Sequence, residues 1–204
     1  MNRVNYGREE LIKNFLKNYQ NGRGAEVGTF RGMFSKFILE NWNGSLCMVD
    51  IWNSSDDYID MSNHENFDNK IYLDAMNNIR GMEDRGIMIR ATSEKAAQIF
   101  PDESLDFVYI DADHSYKHVV NDLNLWYPKV KSGGLISGHD YLGMDWYTDP
   151  NFMENGKDKH IYGSDEVYMG IFGVNPAVDE FCEKNGYTLN VTDEWLGTWF
   201  FKKR

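Results

Sequence analysis

The residues best placed to do chemistry lie in the stretch LDFVYIDADHSY, 105–116, where an apolar run over 107–110 opens onto Asp111, Asp113 and His114. Such a run reads as a buried parallel strand with polar groups at its carboxyl end. That end is where an open α/β sheet receives its ligand. A second polar cluster, His139-Asp140, follows another apolar run at 135–137. Imidazole, with an ordinary pKa near about 6.5, is a usable base at neutral pH. Plainer readings stand beside this one. Asp113 can cap a following helix whose first turn holds His114, Ser115 and Tyr116. His139-Asp140 can hydrogen-bond a neighbouring loop. His114 and His118, four apart, are either a metal pair or two surface residues.

The flanking elements must deliver these tips to one place. Residues 8–20 put Leu11, Ile12, Phe15, Leu16 and Tyr19 at helical spacing, a helix that covers a sheet edge. A strand over 25–27 then leads into a loop with Gly28 and Gly32. The next helix carries Met33, Phe34, Phe37, Ile38 and Trp42 inward. Glycine lets the backbone approach a ligand closely. The spacing is E-x-G-x-x-x-G, however, so the dinucleotide pattern G-x-G-x-x-G is absent and a pyrophosphate cradle is not supported. The second strand, 45–51, carries Asp50, 22 positions after Gly28, where such folds bind ribose hydroxyls.

Residues 52–68 read as a polar loop and 71–82 as a helix. A strand over 87–89 runs into Ala91-Thr92-Ser93, followed by a short helix over 94–99. After the central strand come a helix over 115–127, a KSGG turn at 131–134 and the strand ending in His139-Asp140. Residues 142–173 are irregular and dense in aromatics, the character of a lid or binding loop. A helix over 176–184 stops at Asn185-Gly186, and strands at 187–191 and 198–201 form a terminal antiparallel hairpin.

With 204 residues and 42% hydrophobic content, the chain fits one domain, 1–204, with a sizeable core. The formal net charge of -11 argues against nucleic acid and favours a small, neutral or cationic partner. No apolar run approaches a membrane span or follows a basic leader, so no membrane partner and a cytoplasmic location are expected. Cys47 and Cys182 read as reduced core thiols. Oligomeric state is open, a homo-oligomer included.

EVGTFRG, the Asp50 strand end, Asp111-Ala112-Asp113-His114 and Gly138-His139-Asp140-Tyr141 together resemble the class I S-adenosylmethionine (SAM) dependent methyltransferases. Within them the chain is similar to the small metal-dependent O-methyltransferases, of the catechol and caffeoyl-CoA type and of the macrolide and aminocoumarin sugar pathways. The resemblance implies a Rossmann-like α/β fold: seven mostly parallel strands, the last antiparallel, and helices on both faces. It implies that Glu26, Gly28, Thr29 and Gly32 hold the methionine part of SAM, Asp50 the ribose, and Thr92 and Ser93 the adenine side, with Asp111 bordering the cofactor. It also implies a divalent cation, Mg2+ or Mn2+, on Asp111, His139 and Asp140, with Asp113 a further candidate ligand, and His114 as the base where the family has lysine. The implied reaction is methylation of a small hydroxylated metabolite or sugar. Metal-free N- or O-methylation with His114 or His139 as base, and a SAM-binding module without catalysis, are the alternatives.

Overall fold

The computed structural model describes residues 1–53, 69–141 and 173–204. The loop expected at 52–68 and the lid expected at 142–173 lie almost wholly outside the described residues. The strands are β1 (Asn2–Arg3), β2 (Arg23–Val27), β3 (Ser45–Asp50), β4 (Gly86–Arg90), β5 (Leu105–Ile110), β6 (Val130–Tyr141), β7 (Asn190–Val191) and β8 (Gly197–Lys202). The helices are α1 (Arg8–Leu16), α2 (Met33–Glu40), α3 (Lys70–Asn78), α4 (Ser93–Ala97), α5 (Tyr116–Trp126) and α6 (Val174–Asn185).

All eight strands form one sheet in the order β1-β7-β8-β6-β5-β2-β3-β4. β8 is antiparallel to both its neighbours, and every other pairing is parallel. Seven of the strands and the antiparallel last one agree with expectation; the eighth, β1, does not. β1 is two polar residues long and has no alternation to announce it. Its ladder lies in the backbone, Asn2 N–H to Leu189 O at 2.8 Å and Val4 N–H to Val191 O at 2.9 Å.

Period-two alternation explains the layers. Cys47 and Val49 of β3, and Val108 and Ile110 of β5, turn towards α4, α5 and α6. Leu46 and Met48, and Phe107 and Tyr109, turn towards α1, α2 and α3. α1 does not cover an edge: Phe15 meets Phe107 of central β5 edge-on, with ring centroids 6.3 Å apart. It also ends at Leu16, short of the expected 20. Met33, expected inward, is 65% exposed because it opens α2 at the mouth of a cleft. KSGG is not a turn between elements. It lies inside β6, where Gly133 at φ 80 accompanies a register irregularity against β5. Both cysteines are free and buried.

Candidate active site

The parallel strands bring their carboxyl ends to one rim, and a cleft of about 590 Å³ opens there. At its floor the β2–α2 loop crosses β5. Gly28 adopts φ 90, and a Cβ there would lie 1.9 Å from the Asp111 carbonyl oxygen, so only glycine allows this crossing. Thr29 is buried, its hydroxyl donating to Val49 O at 3.4 Å. Gly32, at φ 73, precedes α2. Asp50 accepts the backbone N–H groups of Phe30 and Trp52, both at 2.7 Å. Burial nevertheless raises its pKa above the ordinary carboxylate range.

Glu26 lies deeper, 2% exposed, and takes a hydrogen bond from Ser35 of α2. Burial pushes its carboxyl up to about 8, against the Ser35 bond, which lowers it; neighbouring Asp111 raises it further. Between the ordinary value near 4.5 and about 8, the folded chain therefore holds a proton that the unfolded chain has lost. This contribution to stability is complete below the ordinary value and is lost as pH rises through the folded one, at up to about 1.4 kcal/mol per pH unit. Thermal unfolding of ligand-free protein between pH 5 and 9 should show Glu26→Gln gaining steadily on the wild type up to about pH 8. Parallel curves would mean that Glu26 is ionised in the fold.

The second wall joins the ends of β5 and β6. In a regular strand His139 and Asp140 would face opposite ways. Here the β6–β8 pairing jumps from Gly138↔Trp199 to Tyr141↔Gly197, setting two residues of β6 against one of β8. This is a bulge, and Asp140 takes the left-handed conformation at φ 59. The bulge re-aims both side chains, so that ligand atoms of Asp111, His139 and Asp140 all lie within 4.8 Å of one another. His139 Nδ1 is 3.5 Å from Asp140 Oδ1 and 4.0 Å from Asp111 Oδ2. His114 closes the group, with Nε2 2.7 Å from Asp140 Oδ2 and 3.6 Å from Asp111 Oδ1. Burial raises the Asp140 carboxyl, but His114 and His139 outweigh it and hold it well below the usual range. Asp140 does not itself line the cleft; it reaches it through His114 and Asp111, which do.

Asp113 is used otherwise. Its Oδ1 accepts the Ser115 N–H at 2.8 Å, and Oδ2 is 3.3 Å from His118 Nδ1. Burial opposes the charge, yet the His118 and Ser115 bonds keep the Asp113 carboxyl below its ordinary value. The capping reading does not hold: the N-cap is Ser115, Asp113 lies two residues ahead of it and accepts its N–H, and His114 also precedes the helix rather than lying in its first turn. His114 and His118 pair with different carboxylates, so no two-histidine metal pair forms.

Thr92 and Ser93 line the far end of the cleft, where Thr92 caps α4 through Lys95 N–H at 3.4 Å. Ser93 donates to Asp122, and its oxygen accepts the Trp126 indole N–H at 2.8 Å. Asp122 is buried, and burial lifts its carboxyl to about 7. Sequence reasoning missed it, although a signal existed: with Val119, Leu123 and Trp126 it occupies the inward face of α5. Arg8 was missed as well, and nothing in its spacing marks it. Its side chain reaches the cleft, with the guanidinium 4.8 Å from the Phe34 ring centroid.

The comparisons follow this geometry. The family model described as "Methyltransferase domain" matches residues 25–141, more than half of the chain and every strand from β2 to β6. An uncharacterised protein of Acanthamoeba polyphaga mimivirus is 45% identical over 42 residues, which is 21% of this chain and only 19% of that protein's length. Among solved structures, an O-methyltransferase from Bacillus cereus in complex with SAH superposes with a TM-score of 0.64 at 13% identity, over 96% of this chain and 80% of that one. A Staphylococcus aureus protein assigned as a caffeoyl-CoA O-methyltransferase gives 0.64 at 17%, over 96% and 82%. Precorrin-6y C5,15-methyltransferase from Geobacter metallireducens gives 0.59 at 14%, over 96% and 88%. These likenesses establish the shared architecture, and the family match carries the assignment: the chain belongs to the methyltransferase domain family, as a class I SAM-dependent methyltransferase.

Proposed function

We propose that the protein methylates a hydroxyl oxygen of a small metabolite, a sugar or sugar-bearing molecule being the favoured class, with help from a divalent cation. The observation that carries this is the bulge in β6, which gathers Asp111, His139 and Asp140 beside the cofactor cleft. The two carboxylates suit Mg2+ or Mn2+, and the imidazole tilts the set toward Mn2+, Fe2+ or Zn2+. When bound there, the cation lowers the pKa of the acceptor hydroxyl and fixes its position.

The chain's own residues do the remainder. Glu26, Gly28, Thr29 and Gly32 receive the methionine part of SAM, Asp50 the ribose, and Thr92 and Ser93 the adenine side. The carboxylates around the cleft, Asp111, Asp113 and Glu94 among them, suit a sulfonium cation. His114 Nε2 lies 2.7 Å from Asp140 Oδ2, and in the tautomer with its proton on that nitrogen the ring's Nδ1 is the acceptor that takes the hydroxyl proton. The oxygen lone pair attacks the methyl carbon, the carbon–sulfur bond breaks, and its electrons remain on sulfur as the neutral thioether.

A second reading has its own support. His114 lies between the Asp111 and Asp140 carboxylates, which stabilise the imidazolium formed once the neutral ring has taken the hydroxyl proton, so that base catalysis proceeds without metal. Transfer of labelled methyl from SAM to a panel of sugars and other hydroxylated acceptors, with and without chelator, separates the readings. Metal-assisted transfer should fall with chelator and return with Mg2+ or Mn2+. An unchanged rate leaves the His114 reading, and SAM binding without transfer to any acceptor leaves a binding module.

A further inference from the structure

We infer that Arg8 binds the α-carboxylate of the SAM methionine moiety, making the start of α1 part of the cofactor site. This rests on the SAM-dependent reading above. The methionine end carries an ammonium and a carboxylate beside the sulfonium. Acids line the cleft, Asp111 among them, and a carboxylate entering beside Asp111 is repelled unless a cation meets it. Among the described residues, the guanidinium groups lining the cleft are those of Arg8 and Arg31. Arg31 pairs with Asp74 at 3.1 Å. Arg8 lines the cleft together with Glu26, Gly28, Thr29 and Asp111, which puts it at the methionine end of the proposed site.

Arg8 is also held in advance. Its guanidinium lies over the Phe34 ring, 4.8 Å from the centroid. Its backbone N–H donates to Glu194 Oε1 at 3.1 Å, and that oxygen also accepts the Thr192 hydroxyl at 2.7 Å. The planar fork of five N–H donors matches a carboxylate, and a side chain held over an aromatic ring loses little freedom on binding.

Calorimetry on the full chain tests this with S-adenosylhomocysteine and with 5′-methylthioadenosine, the same nucleoside thioether without the amino-acid end. Arg8→Met should weaken S-adenosylhomocysteine by about 10- to 100-fold and leave methylthioadenosine within about twofold, while Arg8→Lys should recover most of the loss. Decarboxylated SAM makes the same cut without altering the protein: it should bind the wild type about 10- to 100-fold more weakly than SAM, and Arg8→Met should add little further loss. Unchanged S-adenosylhomocysteine affinity in Arg8→Met, an equal fall for both nucleosides, or equal wild-type affinity for SAM and its decarboxylated form each overturns the assignment. A wild type that binds neither nucleoside overturns the SAM-site reading itself.

Discussion

Asp140→Asn should lower the methyl-transfer rate by about a thousandfold while S-adenosylhomocysteine affinity stays within about threefold of the wild type. On the function proposed above Asp140 has three roles at once: it would ligate the cation, it lies 2.7 Å from His114 and so orients it, and it balances His139. Loss of a metal ligand's or its partner's charge costs about 10- to 100-fold in affinity or activity, and loss of an oriented base about 10²- to 10⁴-fold, so the two losses compound. Asparagine is the informative change because Asp140 has φ 59, a conformation asparagine tolerates and alanine resists. Asp140→Ala should therefore lose stability as well as activity. Steady-state rates with Mg2+ titration beside calorimetric affinity check the split. Equal loss of nucleoside affinity in Asp140→Asn would show that the residue builds the cofactor cleft instead.

His114→Ala should reduce turnover by about 10²- to 10⁴-fold and leave SAM affinity intact. His114 lines the cleft and joins the Asp140 side, whereas the residues proposed for ribose and adenine sit at Asp50 and at Thr92 and Ser93. Removing the ring takes away the proton acceptor without touching the nucleoside end. Titration of SAM into the variant, beside its kcat, decides the matter. If SAM binding is lost, His114 is a cofactor residue and the base lies elsewhere, with His139 next in line.

Much of this site could be read before any coordinates, for a definite reason. Gly28, Asp50, Thr92 and Asp111 each follow or end an apolar run, and parallel strands necessarily bring such ends to one rim. Features that depend on pairing between distant segments were not readable. The bulge at His139-Asp140 exists because β8 runs against β6 with one residue fewer, and no local pattern records that register. β1 escapes notice for the same reason, being defined by backbone bonds to β7 near the other end of the chain. Arg8 reads as the polar start of an amphipathic helix until β1 and Glu194 fix where that helix begins. Asp122 shares the inward face of α5 with Val119, Leu123 and Trp126, and that spacing alone marks it.

The β1–β7 seam joins segments 188 positions apart, Asn2 and Asn190, just ahead of the turn that launches Arg8. If Arg8 grips the cofactor, occupancy and closure of this seam are thermodynamically linked. Fraying of the first four residues weakens the nucleoside's hold, and a filled cleft in turn protects the Val4 amide on Val191 from exchange with solvent. A leader fused ahead of Asn2 then acts as a regulator of affinity from outside the cleft, by pulling on a hem rather than by competing for space.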